Sequence, residues 1–384
     1  MDIGLVKRSF RLQGGGERQI GYLIEGLLAH GHAVHLFSTR PLSTQPIEGL
    51  VHHKVATMPV SRAFRALGFA LMVRAALRRT GLTSVQSFER TLGQQIYRAG
   101  EGVHREWLRR KRRSMPPLAR GWSRLSLFDH VTLALERRVF RDTPTIITNS
   151  QRGQEEVARH YGIPHTRMST IYNGVDTDRF HTGVRQRLRG EQRAAWGVSA
   201  DELVLLYVGS GFHRKGLDAA VKALGELRRR GLTNTRLVVV GKGRLGPYQR
   251  LAHKLSVADL VRFDGHRRDV ERCYAGADLF VLPTLYDPFA NACLEAMACG
   301  LPVITTEANG AAELLHSGVN GYVLGEMPSP ETFVDALLPM LLSRERRQAM
   351  GEAAHRTAHE YPLSRALTHT LQLYESTTHR VVSV

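Results

Sequence analysis

Cysteine is scarce in this chain. Three thiols in 384 residues, Cys273, Cys293 and Cys299, cannot build a disulfide framework, and their confinement to one third of the sequence points to a reducing compartment. No uncharged apolar run reaches the roughly 20 residues that a membrane-spanning helix needs. The opening Met1-Asp-Ile-Gly-Leu-Val-Lys-Arg8 lacks a basic stretch followed by an apolar one, so no secretory signal is expected. Internal repeats and low-complexity tracts are absent as well. Acids are in short supply: 35 Asp and Glu face 53 Lys and Arg, a formal net charge of +18. What is present is globular in kind, with 42% apolar and 23% charged residues, which excludes a largely disordered chain. The cationic surplus calls for an acidic partner: nucleic acid, an anionic membrane surface or a small phosphorylated substrate.

The densest cationic cluster is Arg105-Glu-Trp-Leu-Arg-Arg-Lys-Arg-Arg113, continued by Arg120 and Arg124 and accompanied by Trp107 and Trp122. Such a run is ordinarily a solvated helix face. The local imbalance argues as strongly for anion binding, and an aromatic beside Arg and Lys suits a lipid headgroup zone as well as it suits RNA. Arg109, Arg110, Lys111, Arg112 and Arg113 are therefore candidates to meet a membrane or an acceptor.

Strand and helix signals alternate along the chain. Ile3–Val6 reads as a strand, Ile20–His30 as an amphipathic helix stopped by Gly31, Ala33–Ser38 as a strand, and Pro144–Asn149 as a strand leading into a helix over 155–161. The same grammar restarts with the strand Leu203–Val208, then a helix over 217–230 and strands at 236–240, 261–263, 279–282 and 301–305. Short apolar strands alternating with helices predict parallel sheets covered on both faces. The expected fold is α/β, with two Rossmann-like doubly wound domains facing each other across a cleft. The boundary falls in the polar, linker-like stretch 180–200, giving domains 1–180 and 181–384, with the final helix a candidate to pack back on the first domain. Ligands of such sheets sit beyond the carboxyl ends of the strands, so the loops after Val6, Val208, Val240 and Leu282 are the places for chemistry.

Four motifs fall in or near these loops. Gly241-Lys-Gly-Arg-Leu-Gly246 has the G-x-G-x-x-G spacing of a dinucleotide fingerprint, with Asp264 near the offset of a ribose-binding acid. It follows the second strand of its domain rather than the first, and Pro247 delays the helix, so a nicotinamide site is disfavoured. Asp176-Thr177-Asp178 has the D-x-D form of a metal clamp but, following the expected strand 171–175 with its Asn-Gly turn, reads better as a turn. Gly209-Ser-Gly-Phe-His-Arg-Lys-Gly216 follows the first strand of its domain. Its glycines let the backbone approach a ligand, and Arg214 and Lys215 offer two adjacent cations to a diphosphate. Finally, Leu282-Pro-Thr-Leu-Tyr-Asp-Pro-Phe-Ala-Asn-Ala-Cys-Leu-Glu295 runs from a strand through a loop into a helix. Its first turn, Ala290, Asn291 and Ala292, offers backbone N–H groups to a phosphate. Asp287 and Glu295 can grip two parts of one ligand.

In these surroundings the last stretch resembles the E-x7-E signature of retaining family-four glycosyltransferases of the GT-B fold. Gly14-Gly15-Gly16-Glu17-Arg18, Asn173-Gly-Val-Asp176, Gly211-Phe-His-Arg-Lys-Gly-Leu217, Cys299-Gly-Leu-Pro-Val-Ile304 and Gly310-Ala-Ala-Glu-Leu-Leu315 are similar to further motifs of that family. Asp287 stands where the family usually has Glu. A narrower resemblance, carried by Val208–Asp218 and by Phe88-Glu-Arg90 with Tyr97–Gly102, is to the lipopolysaccharide core glucosyltransferases. The resemblance implies that Gly15, Gly16 and Gly211 line the donor, that Arg214 and Lys215 hold its diphosphate, and that Glu295 binds the ribose. It implies that Asp287 binds the donor sugar, that Arg179 is a donor-side arginine, and that Glu101 stands near the reaction centre where those enzymes have Asp.

The function expected is a retaining, metal-independent transfer of glucose or a similar hexose from a nucleotide sugar, UDP-linked, to a lipopolysaccharide core or related bacterial glycolipid. The enzyme would work without cofactor or nucleic acid, in the cytoplasm and peripherally at the inner face of an anionic membrane. The rivals are a nucleotide-dependent oxidoreductase and a basic membrane- or RNA-binding module without catalysis.

Overall fold

The structure, a computed structural model, describes residues 1–9, 15–41, 47–57, 61–115 and 126–382. The chain divides into two compact units: Met1–Asn173 with Ser364–Val384, and Gly174–Leu363.

In the first unit seven strands pair in the order β3-β2-β1-β4-β5-β6-β7, all parallel. They are β1 Asp2–Val6, β2 Ala33–Ser38, β3 Leu50–Lys54, β4 Ser84–Ser87, β5 Ile96–Arg98, β6 Thr145–Thr148 and β7 Met168–Thr170. In the second, six parallel strands run β10-β9-β8-β11-β12-β13: β8 Leu203–Val208, β9 Thr235–Val240, β10 Val261–Gly265, β11 Leu279–Leu282, β12 Val303–Thr306 and β13 Gly321–Leu324. The central strands β1, β8 and β11 are apolar almost throughout because helices cover both faces, and residues such as Leu5, Leu206 and Phe280 are fully buried. Strand order reverses between β1 and β4, and again between β8 and β11. Each reversal parts the connecting helices and opens a crevice at the carboxyl edge.

The helices used below are α1 Gly15–Ala29, α2 Arg62–Thr80, α3 His104–Arg113, α4 Leu127–Asp142, α5 Gln151–Tyr161, α6 Thr182–Trp196, α7 Leu217–Arg229, α8 Gly246–Lys254, α9 Val270–Gly276, α10 Asn291–Ala298, α11 Pro330–Leu342, α12 Arg344–His359 and α13 Leu363–Val382.

Two sequence expectations need correction. The stretch 180–200 is mostly helix α6, not a linker. Three of its four arginines are aimed inward: Arg189 and Arg193 lie 2.7 and 3.0 Å from the buried Asp278, and Arg185 donates to the carbonyls of Ala277 and Gly300. Polarity there is a set of ion pairs gripping the second unit, which composition alone cannot tell from solvation. The segment 171–175 is likewise no strand. β7 ends at Thr170, and Val175 makes only an isolated bridge to Pro362. The chain passes between units at 173/174 and at 363/364. Most of α13 belongs to the first unit, where Leu367 packs with the α1 core and the fully buried Tyr374 donates its hydroxyl to Gln86 at 3.1 Å.

Candidate active site

The loop after β8 and the loop after β11 meet at the carboxyl edge of the second sheet. Gly216 makes this meeting possible. Its φ is +71°, and a Cβ there would collide with the Pro283 carbonyl oxygen. Leu285 N–H and the Thr284 hydroxyl both donate to the Arg214 carbonyl, at 2.9 and 2.8 Å, so the two loops are laced together.

At the centre is Asp287, 4% exposed. One of its oxygens, Oδ2, accepts from the Arg214 guanidinium at 3.0 Å and from the Lys215 ammonium, and Oδ1 accepts from Phe289 N–H at 3.1 Å. Burial works to raise its pKa, but Lys215 and then Arg214 outweigh burial and hold the carboxyl below its ordinary value. Arg214 also donates to the Tyr286 carbonyl at 3.0 Å. Two adjacent cations and an acid 73 and 72 positions further on thus form one unit, in which the buried acid fixes both cations at the mouth of the strand. Gly211 turns the same loop at φ +76° and shares backbone bonds with Lys242 and Lys215.

α10 begins beside them. The Ala290 N–H is already given to the Asn309 side-chain oxygen at 3.1 Å, so this residue does not offer it to a phosphate. Asn291 and Ala292, half-buried, open the helix proper. Glu295, one turn in and half-buried, accepts from the Tyr274 hydroxyl at 2.8 Å. Tyr274 is fully buried; burial and then Glu295 raise its pKa, so it stays a neutral donor. Asn309 organises the other side: it also accepts from Ala311 N–H and donates to Thr305 Oγ1 at 3.0 Å and to Cys293 Sγ at 3.3 Å. Sequence reading passed over Tyr274 and Asn309. The available signal was an Asn directly before the Gly310 motif.

Other expected site residues lie differently. Arg179 does not face open space: it pairs with Glu271 at 2.6 Å and donates to the Arg268 carbonyl, because its turn is pinned by its own N–H on Asp176 Oδ1. The same bond makes Asp176 a turn residue. Asp264 is held by Trp196, Arg262 and Arg267. Gly241, at φ +144°, abuts the Gly209 carbonyl, so it serves the crossing of two strand ends, and α8 starts at Gly246 without delay, with Pro247 in its first turn. Among the described residues no three His, Cys, Asp or Glu side chains converge as metal ligands.

In the first unit, Gly15 and Gly16 open α1 rather than forming a separate loop, and Gly14 lies outside the described residues. At this sheet's carboxyl edge, Lys7 after β1 pairs with Glu89 after β4 at 3.0 Å. Arg90 reaches Glu101 at 2.8 Å and the fully buried Glu136 at 3.0 Å, so Glu101, itself exposed, is oriented from below by a cation that is anchored elsewhere. Arg90 and Glu136 were not foreseen.

The cationic cluster is only partly available. Glu106, fully buried in α3, takes two bonds from Arg109, at 2.8 and 2.6 Å, and one from Arg110, at 2.6 Å. Arg110 is itself buried. Lys111 and Arg112 are half-buried, and Arg113 is exposed. The expectation of five cations facing outward is therefore corrected: the one acid of the run, at i to i+3 and i+4, draws two of them in. Trp122, Arg120 and Arg124 lie outside the described residues.

Comparison with known proteins finds matches for both halves of the chain. The profile described as Glycosyltransferase Family 4 matches residues 13–179, and the one described as Glycosyl transferases group 1 matches residues 188–357. The chain is 26% identical over 350 residues to lipopolysaccharide glucosyltransferase WaaG of Escherichia coli K12, covering 90% of this chain and 91% of that enzyme. It is 32% identical over 179 residues to the uncharacterized glycosyltransferase MJ1607 of Methanocaldococcus jannaschii, spanning 45% of that protein's length. The crystal structure of WaaG superposes with a TM-score of 0.83 at 24% identity, over 97% of this chain and 99% of that one. That of Anabaena HepE with UDP-glucose gives 0.73 at 18%, over the full length of both. By fold, motifs and these matches, the chain belongs to the GT-B glycosyltransferases, with a family 4 N-terminal half and a group 1 C-terminal half.

Proposed function

We propose that the chain transfers glucose or a similar hexose, with retention, from a UDP-linked donor to a lipopolysaccharide core or related bacterial glycolipid. The observation that carries this reading is the pairing of Arg214 and Lys215 on buried Asp287 at the carboxyl edge of β8 and β11. Two adjacent cations held on one side by a carboxylate keep further N–H groups with which to bind another anion. A departing diphosphate accumulates charge as the glycosidic bond breaks, and fixed cations in a dehydrated crevice stabilise that charge without reorganising. Leaving-group stabilisation of this kind needs no metal and no cofactor. Glu295, steadied by Tyr274, suits the ribose hydroxyls, and Asp287 is the residue assigned to the donor sugar. Front-face departure lets the leaving phosphate help deprotonate the acceptor, with Glu101 at the acceptor side. The UDP-glucose complex of HepE and the glucosyltransferase activity named for WaaG support the choice of donor.

An enzyme of this kind meets a lipid-anchored acceptor from the cytoplasmic side. No described helix is long and apolar enough to cross a membrane. A peripheral contact is supported by α2, which carries Arg62, Arg65, Arg74, Arg78 and Arg79 with no acid, and which leaves Phe64, Leu71 and Met72 between 47 and 53% exposed. Nucleic acid is not an expected partner. The test is a panel of nucleotide sugars, read by calorimetry and by mass spectrometry of acceptor glycolipids, with and without EDTA. UDP-glucose binding and EDTA-resistant transfer are expected; manganese-dependent transfer, or no binding of any nucleotide sugar, overturns the reading.

A further inference from the structure

The first unit has a second cationic feature, remote in sequence from every residue assigned above to the donor. Helices α3, α4 and α5 border an open surface concavity of about 280 Å³ lined by Arg105, Arg137, Arg141, His160, Tyr161 and Ile163.

Two buried acids lie next to it, Glu106 and Glu136, and both are fully occupied. A carboxylate offers about four acceptor positions. Those of Glu136 receive Arg90 Nε, the backbone N–H groups of His104 and Arg105, and the Tyr161 hydroxyl, at 2.5–3.1 Å. Those of Glu106 receive Arg109 twice, Arg110 and His160, at 2.6–2.8 Å. Neither has a position left for the guanidinium of Arg105, Arg137 or Arg141.

Helix capping does not use those guanidiniums up either. The last carbonyls of α4 are taken by Arg167, which donates to Phe140 and Arg141 at 3.1 Å and also to Thr143. Arg105 makes one long contact, 3.5 Å, with the His160 carbonyl. Arg141 shares Asp142 with Arg138. Arg137 makes no ion pair or hydrogen bond among the described residues.

Three exposed arginines thus line one concavity: Arg141 has a single surface ion pair with Asp142, and neither buried acid beside the concavity has a position left for Arg105 or Arg137. A tetrahedral dianion would match planar guanidinium forks of this kind two at a time, with charge-assisted bonds that water does not supply. The geometry points to a phosphate-binding site at Arg105, Arg137 and Arg141, distinct from the donor residues of the second unit. Its ligand is a phosphate monoester, either on a lipid headgroup or on a small soluble molecule.

Arg137 and Arg141 are exposed, so Arg137→Gln with Arg141→Gln removes two of the three cations without emptying the core. The full chain is titrated with inorganic phosphate and with glycerol 3-phosphate in saturating UDP, which blocks the donor crevice. In a second arm it is mixed with vesicles containing phosphatidic acid or, at matched charge, phosphatidylserine. The unfolding midpoint of each variant is measured alongside. A soluble ligand gives a UDP-insensitive isotherm weakened at least tenfold in the double variant. A lipid ligand gives phosphatidic-acid binding weakened tenfold while phosphatidylserine binding is unchanged. If folded double variant and parent are indistinguishable in both arms, the site does not exist.

Discussion

The Arg214 guanidinium lies 3.0 Å from the carboxylate of Asp287, and Lys215 shares the same oxygen. Asp287 therefore has a structural task that its position in the motif does not disclose: it holds two like charges side by side. Asp287→Ala leaves Lys215, 11% exposed, without its partner, and removing one member of a buried pair costs about 3–5 kcal/mol. We expect the urea midpoint of Asp287→Ala to fall along with turnover. Lys215→Ala should also destabilise, since it leaves Asp287 facing only the half-exposed Arg214. Arg214→Ala should cut turnover tenfold or more with a smaller stability loss. Equal stability for all three and the parent contradicts the shared-pair arrangement.

The same pair sets a pH dependence. Asp287 has its pKa held below the ordinary 3.8 in the folded chain. A depressed carboxylate pKa contributes stability that is complete above the unfolded value and is lost as pH falls through the folded one. Stability of the parent should therefore fall as pH drops below about 3.8, and Asp287→Asn should show a shallower fall over that interval. Chemical denaturation at pH 2.5 to 6 measures both slopes; parallel slopes show that Asp287 does not contribute.

Glu295 and Tyr274 separate binding from rate. Glu295→Ala removes a carboxylate suited to ribose hydroxyls and should weaken donor binding at least tenfold, with kcat changed less. Tyr274→Phe keeps the acid and loses the 2.8 Å bond that steadies it, with a longer one of 3.3 Å to the Ala292 carbonyl, so a smaller loss in affinity is expected. Calorimetry with UDP decides. UDP affinity unchanged in Glu295→Ala removes the ribose assignment.

Much of this molecule is written locally. β2 and β8 match their sequence runs residue for residue, because apolar strands bounded by glycine or polar turns have few alternatives. The loops carrying Arg214, Lys215, Asp287 and Glu295 were legible because they follow such strands. β4, β5 and β13 were not: they are three or four residues long, and Ser84, Gln86 and Ser87 are polar groups buried within the first of them. Their strand character comes from parallel neighbours, not from their own pattern. Partnerships were least legible of all. Arg193 with Asp278, Arg90 with Glu136 and Asn309 with Ala290 join residues 19 to 85 positions apart, and no periodicity encodes which distant acid a given arginine will meet.

The last expectation concerns the membrane, where the structure redirects the experiment. Replacing Arg109 to Arg113 by Gln was the natural test from sequence, but Arg109 and Arg110 satisfy the buried Glu106, whose pKa they and His160 depress against the effect of burial. Arg110→Gln should therefore lower stability, and release from vesicles would then report unfolding. α2 offers a cleaner test. Phe64 and Leu71 are seven residues apart, on one face, about half exposed, and contribute little to the core. Inserting each into the headgroup boundary is worth about 1.5–3 kcal/mol, and each nearby arginine about 1 kcal/mol more at an anionic surface. Phe64→Ser with Leu71→Ser should lower vesicle partitioning more than a hundredfold. High salt should weaken the parent through its arginines and leave the apolar contribution. The unfolding midpoint and UDP affinity should stay near those of the parent. Unchanged vesicle binding in the double variant shows that α2 is not the contact, and binding that ignores salt as well shows that the cationic surplus serves another partner.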